Sequence, residues 1–139
     1  KIESVKDVEF IECGNYSAFC KTKNNEVYSW GHNWFGQLGL GTRDDKKIPT
    51  LCSTLSTENI IDIKCGTNHT IVLTSNNDIL SCGNHYLGQL GRDVEDDECS
   101  PLFQKIPNLP KIKRISGGYN HSFCIDENND LYVFGYNNA

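Results

Sequence analysis

GTNHTIVLTSNNDILSCGNHYLGQLG, residues 66–91, decides how this chain folds. Two short apolar runs flank Asn76-Asn77-Asp78, and a glycine punctuates each end of the pair. Working outward, the same signals return at a fixed step. Gly14, Gly66 and Gly118 are 52 residues apart, and so are Gly31, Gly83 and Gly135. The pairs Asn24-Asn25, Asn76-Asn77 and Asn128-Asn129 keep that step, and GQLG stands at 36–39 and 88–91. Residues 8–52 match residues 60–104 at 15 of 45 positions without a gap. The matches fall on glycines, turn residues and apolar positions, so backbone geometry is what repeats. A fixed period marks units that bury their apolar faces against one another.

Each repeat reads as short strands. The first run is Val8–Cys13, matched by Ile60–Cys65 and Ile112–Ser116. The second is Ala18–Thr22, with Thr70–Thr74 and Ser122–Asp126; the third is Val27–Trp30, with Ile79–Cys82 and Leu131–Phe134. β-Branched and aromatic residues dominate, and the runs are too short for stable helices. Ile71-Val72-Leu73 and Phe123-Cys124-Ile125 are continuously apolar, which predicts strands covered on both faces. A fourth strand is expected after Pro49 and after Pro101, because proline suits a strand start or a sheet edge. Each Asn-Asn pair predicts a two-residue type I′ hairpin, which needs positive φ at both central residues. Ser53–Ile60 is the single helix candidate.

These signals predict an all-β fold of four-stranded antiparallel propeller blades, about 2.7 repeats long. The expected divisions are a lead-in at 1–7, repeats at 8–59 and 60–111, and a truncated third repeat at 112–139.

Gly66-x-Asn68-His69-Thr70, then Asn76-Asn77-Asp78-Ile79-Leu80, Gly83 and Gly88-Gln89-Leu90-Gly91 resemble the repeat of the regulator of chromosome condensation family. Val27–Gly41 carries the same motif in the first copy. Gly118-Tyr119-Asn120-His121-Ser122 and Leu131–Gly135 carry it in the third. The resemblance runs from residue 8 to the end. It departs at Tyr16-Ser17, where the other copies have Asn-His, and at Cys82, where they have an aromatic residue. It implies a seven-bladed propeller, so a chain holding fewer than three repeats is expected to be a segment of a longer protein. The family's founding member is the exchange factor for the small GTPase Ran. Exchange distorts the GTPase's nucleotide site by differential binding and needs no covalent chemistry on the propeller. Family members also carry a propeller beside a ubiquitin ligase or kinase domain. A plant UV-B photoreceptor shares the propeller and uses clustered tryptophans; with only Trp30 and Trp34, this chain lacks such a cluster.

The net charge of −5 argues against a dedicated nucleic-acid or anionic-membrane surface. Lys111, Lys113 and Arg114 read as a solvated connection, and Glu95-Asp96-Asp97-Glu98 and Asp44-Asp45 as exposed loop residues. Seven cysteines without a CxxC pair fit neither a disulfide framework nor a zinc site. They read as small buried hydrophobes, Cys13 and Cys65 being one repeat position, and reduced thiols favour cytoplasm or nucleus. Asn15-Tyr16-Ser17, Asn68-His69-Thr70 and Asn120-His121-Ser122 match the glycosylation triplet, but they belong to the repeat and read as chance. GQLGLGT lacks the Lys-Ser/Thr of a phosphate loop. Asp126, Asn128 and Asp130 lack the glycine and distal Glu of a calcium loop. No cofactor, metal or catalytic set is expected, and the chain reads as non-enzymatic.

Gly14, Gly31, Gly36, Gly39, Gly66, Gly83, Gly88, Gly91, Gly118 and Gly135, with His69 and His121, are expected to be structural. The loops His32–Phe35, Asn84–Leu87 and Tyr136–Asn138 occupy one equivalent place yet vary in sequence. His32, Trp34, Phe35, His85, Tyr86 and Tyr136 are therefore the candidate partner-binding residues, since aromatic anchors dominate interface energetics. The expected partner is a protein, a small GTPase among the candidates, with no nucleic acid or membrane. The open faces of the end blades call for further blades or another chain.

Overall fold

A computed structural model of the chain describes residues 1–95 and 98–136. The first sheet consists of β1 (Val8–Cys13), β2 (Ser17–Thr22), β3 (Val27–Gly31) and β4 (Lys46–Leu51). A 3-10 turn at Ser53–Leu55 leads to the second sheet: β5 (Ile60–Cys65), β6 (His69–Thr74), β7 (Ile79–Asn84) and β8 (Cys99–Lys105). The third holds β9 (Ile112–Gly117), β10 (His121–Asp126) and β11 (Leu131–Gly135). All strands pair antiparallel with their sequence neighbours, in the order of an up-and-down meander. Corresponding registers repeat, with Ala18 opposite Trp30, Thr70 opposite Cys82 and Ser122 opposite Phe134.

The three sheets stack side by side as blades. Between the first and second lie Phe19, Val27, Leu55, Ile60, Ile63 and Val72. Between the second and third lie Ile71, Leu73, Ile79, Ile112, Ile115 and Cys124. Alternate residues of a strand point to opposite faces, so Ile71 faces one neighbour and Val72 the other. This is why the run Ile71-Val72-Leu73 is apolar throughout and fully buried. In Phe123-Cys124-Ile125 only Cys124 is buried, because no described element covers the outer face of the third blade.

Equivalent positions show what a neighbouring blade does. Ile63 is 0% exposed, but Ile11, its counterpart in the first blade, is 69% exposed. Ile79 is 1% exposed, but Leu131, its counterpart in the third, is 63% exposed. The same logic corrects the reading of Cys13. It is exposed, whereas Cys65 at the same repeat position is buried against the first blade.

Three local expectations are corrected. Only the second Asn of each pair has positive φ: Asn25 (63°), Asn77 (62°) and Asn129 (70°). Asn77 N donates to Thr74 O, and Thr74 N donates to Asp78 O. The connection is a three-residue type I turn with its αL residue at the bulge, not a two-residue type I′ turn. Asp126, aligned with Thr22 and Thr74, accepts the backbone N–H groups of Asn128 and Asp130 and so closes the third copy of this turn. The fourth strands start before their prolines. Pro49 and Pro101 lie within β4 and β8, both edge strands, where the register shifts between Ser29 and Gly31 and between Ser81 and Gly83. An edge bulge tolerates the missing N–H. The helix candidate reduces to Ser53–Leu55.

Gly31, Gly36, Gly39, Gly83, Gly88, Gly91 and Gly135 have positive φ. Gly66 serves close approach instead: an added Cβ would collide with the His69 ring and lie 2.7 Å from Gly118 O of the next blade. No helix of the described residues is long and apolar enough to cross a membrane.

Candidate protein-binding face

The meander puts two sets of connections on one end of the blades. These are the loops between first and second strands, residues 14–16, 66–68 and 118–120, and the long loops 32–45 and 85–98 between third and fourth strands. They are stitched together by backbone bonds from His32 N to Tyr16 O, Asn84 N to Asn68 O and Tyr136 N to Asn120 O. The Asn-containing turns lie at the opposite end. There Asn25 Nδ2 donates to Glu58 O at 2.6 Å, and its Oδ1 accepts Ile60 N at 3.0 Å. Asn77 Nδ2 likewise donates to Ile112 O at 2.9 Å. These asparagines therefore latch each blade to the next, a role their hairpin position alone does not reveal.

The candidate residues divide by exposure. Trp34 (68%) and Tyr86 (75%) stand in solvent at the tips of the two long loops. Phe35, His32 and His85 are half-buried. Tyr136 is exposed beside the third blade, and Asn137 and Asn138 of its loop lie outside the described residues. His32 sits between Tyr16 and Trp34, with ring centroids 6.0 and 5.7 Å away. Tyr16 and Tyr119, both exposed, widen the aromatic face, although neither was a candidate from sequence. A hollow of about 400 Å³ opens on this face between Phe35, Asn68, Asn84, Tyr86, Glu98 and Asn120, with the buried Gln89 among its lining residues.

Beneath the face, the repeated glutamines join the blades. Thr70 Oγ1 donates to Gln37 O at 2.8 Å, and Ser122 Oγ donates to Gln89 O at 2.9 Å. Gln37 Oε1 accepts Phe35 N, and Gln89 Oε1 accepts Leu87 N. Asn33, fully buried, fixes the first long loop through Thr42 O, Asp44 O and Leu38 N. Position 33 carries no repeat signal, since the second copy has His85 there.

His69 is buried in the second blade, and its Nε2 lies 2.9 Å from Ser122 Oγ. The Ser122 hydroxyl gives its proton to Gln89 O, so it accepts from His69 Nε2–H and leaves Nδ1 unprotonated. Burial holds this imidazole down to about 4. His121 is half-buried, its ring 6.0 Å from that of Phe123. Burial also pushes the thiols of Cys52, Cys65 and Cys124 up to about 11, 12 and 11, which makes them inert at neutral pH. Arg92 is turned into its own blade, where Ser81 O, Ser81 Oγ, Ser100 Oγ and Gln104 Oε1 receive its guanidinium at 2.9–3.1 Å. Among the described residues no cluster of three metal-ligating side chains forms.

Models of the regulator of chromosome condensation (RCC1) repeat match residues 24–73 and 76–125, and in a second phase residues 8–37, 60–89 and 112–139. The chain belongs to the regulator of chromosome condensation repeat family. The first phase straddles blades, taking the last strands of one sheet and the first two of the next. Among relatives, the X-linked retinitis pigmentosa GTPase regulator of Canis lupus familiaris is 35% identical over 92% of this chain. The probable E3 ubiquitin-protein ligase HERC4 of Homo sapiens is 33% identical over 96%. The chain spans only 13% of the length of each. Yeast RCC1 (Prp20), in a structure bound to Kap60, superposes with a TM-score of 0.87 at 27% identity, covering 95% of this chain and 33% of that one. The three sheets thus match part of the seven-bladed RCC1 propeller, and propellers of this type bind proteins.

Proposed function

We propose that this RCC1-repeat segment is a non-enzymatic protein-interaction scaffold within a larger regulatory protein. The observation that supports this best is the pair of exposed rings, Trp34 and Tyr86, at the tips of equivalent loops. Loops held on a rigid sheet scaffold are where binding residues concentrate, and exposed aromatics are strong interface anchors. The buried thiols of Cys20, Cys52, Cys65, Cys82 and Cys124 fit a reducing compartment, cytoplasm or nucleus.

Affinity capture from cells of the source, comparing the parent chain with Trp34→Ala and Tyr86→Ala, tests this reading. A partner identified with the parent chain should rebind the purified variants about tenfold more weakly or worse. Unchanged affinity in both variants, with the fold intact, would refute the reading. Two further roles for the whole protein follow from its relatives' names. A small-GTPase exchange activity accords with similarity to a GTPase regulator, and a propeller accessory to a ubiquitin ligase with similarity to HERC4. Nucleotide release from a GTPase panel, and partner ubiquitination by the whole protein, separate these roles from simple scaffolding.

A further inference from the structure

The hollow between Phe35 and Tyr86 differs from its counterpart one blade earlier in a way that points to a ligand. In the first blade the buried amide of Gln37 is occupied: Nε2 lies 3.3 Å from His32 Nδ1 and 3.4 Å from Asn68 Oδ1. In the second blade Asn84 replaces His32, and its Oδ1 is taken by Tyr86 N at 2.7 Å. Gln89 is 1% exposed, its Oε1 is held by Leu87 N, and its Nε2 has no partner among the described residues. This donor lies at the wall of the hollow and is open to a bound carbonyl. Asn84, whose amide oxygen is taken by Tyr86 N, also lines the hollow.

Charge narrows the occupant. Glu98 is the one ionisable carboxylate among the described residues lining the hollow, and no cationic side chain lines it. Arg92, the nearest basic residue in the loop sequence, is committed to Ser81, Ser100 and Gln104. Phe35 and Tyr86 flank the opening with rings that can cover the aliphatic stem of a long cationic side chain.

We infer that this hollow binds an extended peptide segment of a partner protein through a lysine or arginine. Its backbone carbonyls accept from Gln89 Nε2 and Asn84 Nδ2, and its cationic head meets Glu98. This deepens the interaction reading above and rests on it.

The test uses two pools of fluorescein-labelled octapeptides, alike except for a central Arg or a central Glu, titrated against the whole chain by fluorescence anisotropy. The Arg pool should bind about five- to tenfold more tightly at low ionic strength. Glu98→Lys should abolish or reverse that preference. In NMR spectra the side-chain amide resonances of Gln89 and Asn84 should shift with the Arg pool. Equal binding of the pools, no binding of either, or an Arg preference unchanged in Glu98→Lys would overturn the inference. If neither pool binds but Trp34→Ala still weakens a captured partner, the interaction face stands and the cationic-peptide groove falls.

Discussion

His69 of the second blade and Ser122 of the third are joined by a 2.9 Å hydrogen bond, which continues from Ser122 to Gln89 O. The relay runs from one blade to its neighbour and back, and it is shielded from water at every atom. Ser122→Ala strands the His69 Nε2–H and the Gln89 carbonyl together. The expected loss is about 1–3 kcal/mol, read as a lower urea midpoint with an unchanged slope. Ser122→Thr, which copies Thr70 of the preceding repeat, should lose much less.

Acid should loosen the same boundary. Burial lowers the folded His69 pKa to about 4, below an unfolded value near 6.5. The unfolded chain therefore takes up the proton first as pH falls. The contribution is whole above pH ~6.5 and is lost as pH drops toward ~4, for a total of about 3 kcal/mol. Urea titrations at pH 7 and pH 4.5 should show a smaller pH dependence in His69→Asn than in the parent chain. Equal dependence would remove His69 from the account.

Asn77 combines two demands that substitution can separate. Its φ of 62° favours Gly or Asn, and its side chain bonds Ile112 O of the next blade. Asn77→Gly keeps the backbone and loses the latch, at an expected cost of about 0.5–1.5 kcal/mol. Asn77→Ala loses both and should cost about 1 kcal/mol more. Thermal unfolding of the two variants checks the order.

How much of this was legible in the sequence depends on what repeats. Gly66 and Asn77 recur every 52 residues, and the Ile71–Leu73 run returns at 123–125, because the blades share one backbone plan and a blade set between two neighbours is buried on both faces. Those features predicted blades. The turn type was misread because Asn-Asn satisfies a type I′ pattern as well as a type I turn with one αL residue. Cys13 was misread because burial here belongs to the pair of blades, not to the strand. Asn33 was missed because a loop-specific residue leaves no periodic trace. Gln89 was visible as part of GQLG, but only the comparison with Gln37 shows its open amide.

The most direct test of stacked, equivalent blades compares one substitution at two copies of one position. Ile79 is sealed between blades, while Leu131 faces outward with no described element over it. In the 139-residue chain, Ile79→Lys buries an unpaired charge and should cost at least about 3 kcal/mol or prevent folding. Leu131→Lys should stay within about 0.5 kcal/mol of the parent in urea unfolding. Similar losses at both sites, or a larger loss at Leu131, would contradict the arrangement of blades described for this protein.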